Sequence, residues 1–202
     1  VGEHTIRTLM NVRADKVLRL TMLLHDVAKP VCITTDEEGQ DHFKKHPAVG
    51  ADMTKQILRR LKFDNKTIDC CCRLVKEHDD RPQITPKNVR RAMSRIGAGL
   101  FPMLFEVKRA DMLGQSLYKR KEKMAYIDEF ERVYNEILSD DQCVSKKDMK
   151  INGRDLIDLG MEPGQKLGEI LDKLYEMVLD DPELNDHEKL IEHANKIIST
   201  LI

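Results

Sequence analysis

The stretch "LLHDVAKP", residues 23–30, ends an apolar helical run on a histidine and an aspartate. It closes a predicted helix over residues 4–28, which has apolar positions at helical spacing and a turn signal near residues 11–15. We place the apolar faces of this helix at Ile6, Leu9, Met10, Val17, Leu20, Leu23 and Leu24. His25 and Asp26 follow this apolar run, and they either hold a metal ion or form only a polar helix end.

The rest of the chain predicts an all-α fold with one exception. Residues 31–43 combine Val, Ile and Thr with the turn signal "DEEGQ", which predicts a short β-hairpin. Asp64, and Thr85 followed by Pro86, are predicted to begin helices, and Gly97 is predicted to end one. The remaining helices are predicted at 47–61, 64–79, 85–97, 100–116, 118–138, 164–180 and 186–201, with a short one between Gly153 and Gly160. The helix over 118–138 is predicted to turn inward Ile127, Phe130, Val133, Tyr134, Ile137 and Leu138.

The composition is typical of a helix-rich cytoplasmic protein. Apolar residues make up 41% of the 202 residues and charged residues 34%, and there is no Trp. No apolar run approaches the ~20 residues that span a bilayer, and we expect neither a membrane partner nor a signal peptide. The five cysteines, three of them adjacent, are not a disulfide framework, so we expect reduced thiols.

The charge changes sign along the chain. Residues 1–138 carry 26 Lys and Arg against 20 Asp and Glu, whereas residues 139–202 carry 8 against 15. The basic part favours an anionic substrate or a nucleic acid, although ordinary surface charge fits equally well. We predict a domain at 1–138, a polar linker at 139–147 and a small helical tail domain at 148–202.

Six histidines and aspartates stand at marked places in the predicted elements: His4 before an apolar run, His25 and Asp26 at the end of one, His46 at the hairpin-to-helix junction, His78 at a helix end and Asp111 inside an apolar helix. Imidazole and carboxylate together suit one or two divalent ions such as Mn, Fe, Co, Ni, Zn or Mg. Adjacent helical residues point about 100° apart, so we expect His25 and Asp26 to point in different directions. One ion would then take His4, His25, Asp26 and Asp111, while His46 and His78 complete a second site beside Asp26. Two ions ~4 Å apart can generate a hydroxide and clamp phosphoryl oxygens.

Several basic residues are candidate phosphate contacts. Lys29 shares the helix face of His25 and Asp26, so it either meets a phosphate or simply pairs with Asp26. Arg109 is a weaker candidate, two residues before Asp111. His42 and His46 are four residues apart, but the hairpin ends between them, which disfavours a zinc pair on one helix.

The basic clusters and one helix start are candidate contacts for a nucleic-acid backbone. The residues are Arg59, Arg60, Arg90, Arg91 and, at a helix start with free amides, Gly164. The clusters are either solvated helix faces or a track for a phosphate backbone, which would make binding salt-dependent. For Gly164, holding a phosphate and simple capping fit equally well.

Seven segments carry a family resemblance: "VGEHT", "LLHDVAKP", "HFKKHPAVGA", "ILRRLKFDNKTID", "LVKEHD", "RADMLGQS" and "INGRDLIDLGMEPGQKLGEIL". In this order they resemble the C-terminal half of bacterial tRNA nucleotidyltransferases, the CCA-adding enzyme/poly(A) polymerase family. The histidine–aspartate set resembles the HD superfamily of metal-dependent phosphohydrolases. The resemblance implies a phosphatase, 2′-nucleotidase or 2′,3′-cyclic phosphodiesterase acting on a nucleotide or RNA 3′-end phosphate. It implies catalytic roles for Asp26 and Lys29 and a tail that contacts tRNA.

One departure from the family limits this expectation. That family carries nucleotidyl transfer in an N-terminal head with a Gly-rich strand–turn segment and a paired aspartate, and neither pattern occurs in this sequence. We therefore expect a fragment whose head and neck lie upstream of Val1. The alternatives are a non-catalytic tRNA-binding scaffold with a structural metal site, and a stand-alone HD hydrolase of a signalling nucleotide.

Overall fold

The computed structural model describes residues 2–200, which are mostly helical with one two-stranded sheet, as predicted. The helices are α1 (Gly2–Met10), α2 (Lys16–Leu24), α3 (Lys29–Cys32), α4 (His46–Arg60), α5 (Asn65–Glu77), α6 (Pro86–Ile96), α7 (Phe101–Gly114), α8 (Arg120–Ser139), α9 (Gly153–Asp158), α10 (Gln165–Asp180) and α11 (His187–Ser199). The strands are β1 (Thr34–Thr35) and β2 (Asp41–His42), and 3-10 turns occupy Ala98–Leu100, Lys146–Asp148 and Pro182–Leu184. The last residue of the predicted helix at 186–201 lies outside the described residues.

The predicted hairpin and helix ends are confirmed. Strands β1 and β2 pair antiparallel, with Thr34 opposite His42. The Asp64 carboxylate accepts from the amide of Thr67 at 2.8 Å, and the Thr85 hydroxyl accepts from the amide of Asn88 at 3.2 Å. Gly97 ends α6 at φ 91°, a conformation that side-chain-bearing residues rarely adopt.

The chain folds as two compact units that differ from the predicted segments. The first unit runs to Pro82 and resumes at Gly99–Glu131, and the second contains Gln83–Ala98 and the chain from Arg132 onward. The predicted division at 139–147 rests on the charge pattern and stays a prediction.

In the first unit, helix packing is organised around small buried clusters. Helix α4 packs on α5, α1 on α7, and α2 on α5. Three fully buried phenyl rings, Phe101, Phe105 and Phe130, meet edge to face with centroids 5.5–5.6 Å apart. Such edge-to-face contacts add to the burial of the rings themselves. This aromatic cluster fixes α8 against α7, the helix that carries Asp111.

The predicted apolar face of the first helical segment is partly wrong. Ile6, Met10 and Leu23 are 62%, 80% and 52% exposed, whereas Leu18 and Met22 are fully buried. The turn after Met10 separates α1 from α2 and resets the helical phase, so one stripe cannot be drawn through both helices. On α2 the buried face repeats at Leu18 and Met22 and continues to His25.

In the second unit, the core lies between α9, α10 and α11. Ile170, Leu174 and Val178 follow one another at a spacing of four on α10 and pack with Leu156 and Leu190. Leu138, predicted to point inward, is 46% exposed and is a second error of register, at the end of α8.

Two further findings concern the cysteines and the surface. All five cysteines are free thiols, and burial raises the pKa of the Cys71 thiol to about 12. Of the helices in residues 2–200, none combines the length and the apolar character that a bilayer crossing requires.

We predict that Phe130→Ala lowers the free energy of unfolding by about 3–5 kcal/mol, because it removes a fully buried ring and leaves a cavity. Urea denaturation followed by circular dichroism measures this. On the same helix, Leu138→Ala should change it by less than about 0.5 kcal/mol because Leu138 is half exposed. Equal losses for the two variants would contradict the observed register of α8.

Candidate metal centre

Six side chains of the first unit meet in one cluster, which we call the centre. They are His4 on α1, His25 and Asp26 directly after α2, His46 at the start of α4, His78 directly after α5, and Asp111 on α7. His25, Asp26, His46 and His78 are each at most 5% exposed. The six positions predicted as ligands are therefore brought together, although whether they hold an ion stays a prediction.

His25 and Asp26 both reach the centre, contrary to the expectation that they point in different directions. His25 Nε2 lies 3.4 Å from Asp26 Oδ2. Helix α2 ends at Leu24, and the two residues begin a run of turns.

Asp26 separates two pairs of histidines. His4 Nε2 and His25 Nε2 lie 3.2 Å apart and face Asp26 Oδ2 at 3.7 and 3.4 Å. His46 Nε2 and His78 Nε2 lie 3.3 Å apart and face Asp26 Oδ1 at 3.6 and 3.8 Å. Each carboxylate oxygen thus belongs to a different pair, which gives two potential sites that share one carboxylate.

Backbone hydrogen bonds determine which nitrogen of each ring is a potential ligand. His25 Nδ1 contacts the carbonyl of Met22 at 2.7 Å, and His78 Nδ1 contacts that of Val75 at 2.7 Å. His46 repeats this contact with Phe43 at 2.8 Å. Since a carbonyl can only accept, Nδ1 carries the proton in each ring, and in the neutral ring Nε2 presents a lone pair to the centre.

Asp111 completes the cluster from α7. His4 Nε2 lies 2.9 Å from Asp111 Oδ1, and the Gln115 amide donates to Oδ2 at 2.9 Å. Lys123 donates in turn to the Gln115 carbonyl oxygen at 2.8 Å. This chain of hydrogen bonds orients the Asp111 carboxylate.

The electrostatics keep both carboxyl groups ionised. Burial alone would raise the pKa of Asp26, but the His78 and His25 rings and the Lys29 ammonium outweigh it and hold the pKa well below its usual range. Burial is likewise outweighed at Asp111, whose pKa is lowered by hydrogen bonding to His25 and His4. The hydrogen bond with Asp111 raises the pKa of His4, whereas burial lowers that of His46.

The residues fit a divalent ion on one further observation. Asp26 Oδ1 is buried and accepts no hydrogen bond from any of residues 2–200. A buried carboxylate oxygen without a donor is unfavourable by about 1–3 kcal/mol, more when it is charged. A cation between this oxygen and the Nε2 lone pairs of His46 and His78 would remove that cost. It would also remove the unfavourable contact between the two lone pairs, whose nitrogens lie 3.3 Å apart.

Lys29 lies at the edge of the centre. Its ammonium donates to Asp26 Oδ2 at 2.7 Å, lies 5.7 Å from the centroid of the Phe43 ring, and has a side chain 27% exposed. The structure thus contains the pairing with Asp26, and the partial exposure leaves the phosphate contact open as a prediction.

Lys108 was missed by sequence reasoning. Its buried ammonium donates to the carbonyls of Glu77, His78 and Asp80, so it caps the helix that delivers His78. Burial lowers the pKa of Lys108 to about 8. The segment "FEVKRAD" around it is rich in charged residues, so it gives no sign that Lys108 is buried, and the partners of Lys108 are remote in sequence.

Gly114 was also missed, although it lies in the quoted segment "RADMLGQS". A Cβ at this position would lie 2.5 Å from Thr8 Cγ2 and 3.1 Å from His4 Nδ1. The absence of a side chain therefore permits the close approach of α1 to α7 that brings His4 to Asp111.

The structure does not bring Arg109 to the centre. Its guanidinium donates to Asp128 at 2.8 Å and to Glu131 at 2.5 Å, both on α8. Asp111 points elsewhere on α7 because the two residues are two positions apart on the helix. His42 is paired with Asp36 at 2.7 Å and lies on β2, outside α4.

The candidate tRNA contacts divide into engaged and available residues. Arg90, in the second unit, is only 4% exposed and donates to the carbonyls of Leu179 and Asp180, so the prediction of a surface contact is wrong for it. Arg91 pairs with Asp180 at 2.7 Å. Arg59 and Arg60, at the end of α4, are exposed and make no ion pair with any of residues 2–200. Gly164 is exposed and precedes α10.

The comparisons with known proteins identify the family. The family profile described as tRNA nucleotidyltransferase domain 2 matches residues 48–194. The chain belongs to this family. The match includes His78 and Asp111, whereas His4, His25, Asp26 and His46 precede it.

Curated relatives carry corresponding names. The chain is 32% identical over 181 residues to the A-adding tRNA nucleotidyltransferase of Deinococcus radiodurans. The aligned region covers 87% of this chain and 41% of the relative. It is 28% identical over 180 residues to the CC-adding tRNA nucleotidyltransferase of Thermus thermophilus, covering 86% and 40%. A CCA-adding enzyme of Ligilactobacillus salivarius is 47% identical over 55 residues, 27% of this chain and 14% of the relative. The chain thus spans about two fifths of the length of the first two relatives.

We predict that Gly114→Ala lowers the free energy of unfolding by about 1–3 kcal/mol, because the new methyl group overlaps Thr8 and crowds His4. Gly168→Ala is the matched control, since a Cβ there meets nothing within 4 Å. Inside α10 this control should stabilise by about 0.5–1 kcal/mol through helix propensity. Chemical denaturation measures both changes, and a stabilised Gly114→Ala variant would refute the close-approach role.

Proposed function

We propose that this chain is the HD-type, metal-dependent phosphohydrolase part of a tRNA nucleotidyltransferase. The observation that carries the proposal is the buried Asp26 carboxylate, whose two oxygens each face a pair of histidine Nε2 atoms 3.2–3.3 Å apart. The reactions are those of a phosphatase, 2′-nucleotidase or 2′,3′-cyclic phosphodiesterase on a nucleotide or RNA 3′-end phosphate.

The ligands divide between two ions in this proposal. His4, His25, Asp26 and Asp111 would hold one, and His46 and His78 would hold the second together with Asp26. Four imidazoles beside two carboxylates favour Mn, Fe, Co, Ni or Zn over Mg, which prefers oxygen ligands. Bound divalent ions would supply Lewis acidity toward phosphoryl oxygens and activate the attacking water.

The protein's own groups have separate tasks. Asp26 stays a carboxylate at neutral pH, because the surrounding rings and Lys29 lower its pKa. Gln115 and His4 hold the Asp111 carboxylate in position. Lys29, at the exposed edge, would bind a non-bridging phosphate oxygen and so orient the ester against the centre.

We also propose that nucleotidyl transfer is carried by residues of the parent protein outside this chain. The two relatives matched over most of this chain are more than twice as long as the region it spans in them. tRNA would be the parent's substrate and a partner of this chain, reached through Arg59, Arg60 and the amides after Gly164. A cytoplasmic location is part of the proposal and agrees with five unpaired cysteines.

A second candidate function is a tRNA-binding scaffold whose metal site is structural. The observation that favours it is the short Lys29–Asp26 ion pair of 2.7 Å, which occupies the proposed phosphate contact. The two candidates differ in whether the centre turns over substrate.

We predict that the chain loaded with Mn²⁺ or Ni²⁺ hydrolyses nucleoside 2′,3′-cyclic phosphates or 2′-phosphates. Asp26→Asn should lower kcat/KM by at least about a hundredfold, because it removes the charge shared by both proposed ions. Released nucleotides, separated by chromatography, give the rate, and elemental analysis gives the metal content.

Asp52→Asn, an exposed change of the same kind on α4, is the matched control and should leave rate and metal content unaltered. If the wild type retains stoichiometric metal but hydrolyses none of these esters, the scaffold function replaces the hydrolase. Equal hydrolysis by wild type and Asp26→Asn would remove Asp26 from the mechanism.

The tRNA contact predicts a change in salt dependence. Replacing Arg59 and Arg60 together by Ala should weaken tRNA binding and reduce the slope of log Kd against log salt by about 1–2, since each phosphate contact contributes about one. The control replaces Arg13 and Arg73, whose guanidinium groups are already paired with Glu106 and Asp69. Filter binding across a salt series measures the slopes of both variants. Identical slopes for the two variants would exclude Arg59 and Arg60 as tRNA contacts.

A further inference from the structure

Two cavities with different walls open on the centre, and His78 and Asp111 line both. Their volumes are about 340 and about 360 Å³, the size of ordinary ligand sites. The polar cavity, as we call the second, is bounded by Lys29 and by residues of the hairpin segment 41–44. The first differs in chemistry and we call it the apolar cavity.

The apolar cavity has an aromatic and aliphatic interior. Met112, Tyr126 and Ile127 form its walls next to Asp111. The hydroxyl of Tyr126 donates to the Pro82 carbonyl at 2.8 Å, and its ring packs on Phe130 with centroids 6.2 Å apart. The ring is therefore fixed at both ends, which makes it a rigid face for a flat group.

Cations stand at the rim of the same cavity. Arg81, Lys119 and Lys123 contribute to its lining. Lys123 is engaged with Gln115, but Lys119 is exposed and makes no ion pair within residues 2–200. The Arg81 guanidinium has only a long contact of 3.5 Å with Asp79. Glu122 also lines the cavity, but the three cations outnumber it, so the rim favours negative charge beyond the group at the centre.

We propose that the apolar cavity binds the nucleobase of the substrate, with the scissile phosphate at the centre and a second phosphate at Arg81 and Lys119. This inference rests on the proposed phosphohydrolase function and assigns the base of its substrate to one cavity, so that phosphate esters without a base bind less tightly. Tyr126 and Ile127 are then specificity-determining residues.

The combination of walls and rim decides between ligand classes. A simple sugar phosphate has no apolar group to fill the space between Met112, Tyr126 and Ile127. A nucleobase is flat and stacks on aromatic faces, and the sugar carries further phosphates toward the cations. The 3′-terminal nucleotide of an RNA satisfies both requirements, because it has a base and continues on its 5′ side as a phosphodiester.

The test measures binding without turnover. The whole chain is treated with a chelator and titrated in a calorimeter with adenosine 2′-monophosphate and with the base-free 1-O-methylribose 2′-phosphate. We expect the nucleotide to bind at least about tenfold more tightly, as stacking of one base supplies. Equal affinities would overturn the proposal.

Variants locate the preference in the cavity. Ile127→Phe fills the space between Tyr126 and Met112 and should reduce the preference for the nucleotide by about tenfold. Ile6→Phe is the matched control at a position 62% exposed on α1, and it should retain the wild-type preference. If Ile127→Phe weakens both ligands equally, the cavity does not bind the base.

A surface variant keeps the test valid if the filled cavity disturbs folding. Lys119→Glu should weaken adenosine 2′,5′-bisphosphate by about fivefold more than adenosine 2′-monophosphate, because only the former carries a second phosphate to the rim. Equal effects on both would overturn the rim assignment. Failure of this inference and failure of the proposed function are distinguishable. If the chain binds the base selectively but the metal-loaded chain does not hydrolyse the ester, only the catalytic step is refuted.

Discussion

The buried carboxylate of Asp26 is the constraint on which the first unit depends. A charged group that is 2% exposed requires compensating charge or hydrogen bonds on every side. Lys29 satisfies one oxygen from the next turn, and four histidines surround the group from α1, the end of α2, the start of α4 and the end of α5. The helices of this unit therefore converge on one point for an electrostatic reason, in addition to the burial of their apolar faces.

The backbone fixes the chemistry of that point. His25, His46 and His78 each contact the carbonyl three residues earlier through Nδ1. The same local geometry thus recurs at two helix ends and at one helix start, and it sets the tautomer without any remote partner. As a result, ring orientation is determined by each chain segment alone, and tertiary packing only has to bring the segments together.

Residue type and local pattern predicted which residues form the centre but not its geometry. The six ligand candidates were identifiable from their residue types and from their places at or near the ends of predicted elements or, as with Asp111, inside a predicted helix. The convergence of His25 and Asp26 was not, because it depends on α2 ending at Leu24 rather than continuing to residue 28. Sequence spacing assigns directions only within a continuous helix, and it gives none once the chain enters turns.

The supporting residues were hidden from the sequence for a different reason. Lys108 and Gly114 act on groups about 30 and more than 100 residues away, so nothing in their neighbourhood specifies the role. Arg90 illustrates the converse. Its cluster with Arg91 has the composition of a nucleic-acid contact, yet its guanidinium donates to two backbone carbonyls and to the Gln142 side chain of the second unit. Composition locates charge along a chain, whereas only packing decides whether that charge remains available.

The shared carboxylate has a consequence for how the proposed site would work. Because Oδ2 of Asp26 accepts from Lys29 and also faces His4 and His25, occupation of that side competes with the ion pair. Lys29 would then be released toward solvent at the moment when the centre becomes competent, and its ammonium would be available for a phosphate. The ion pair that favours a structural role in isolation is therefore also compatible with a catalytic one.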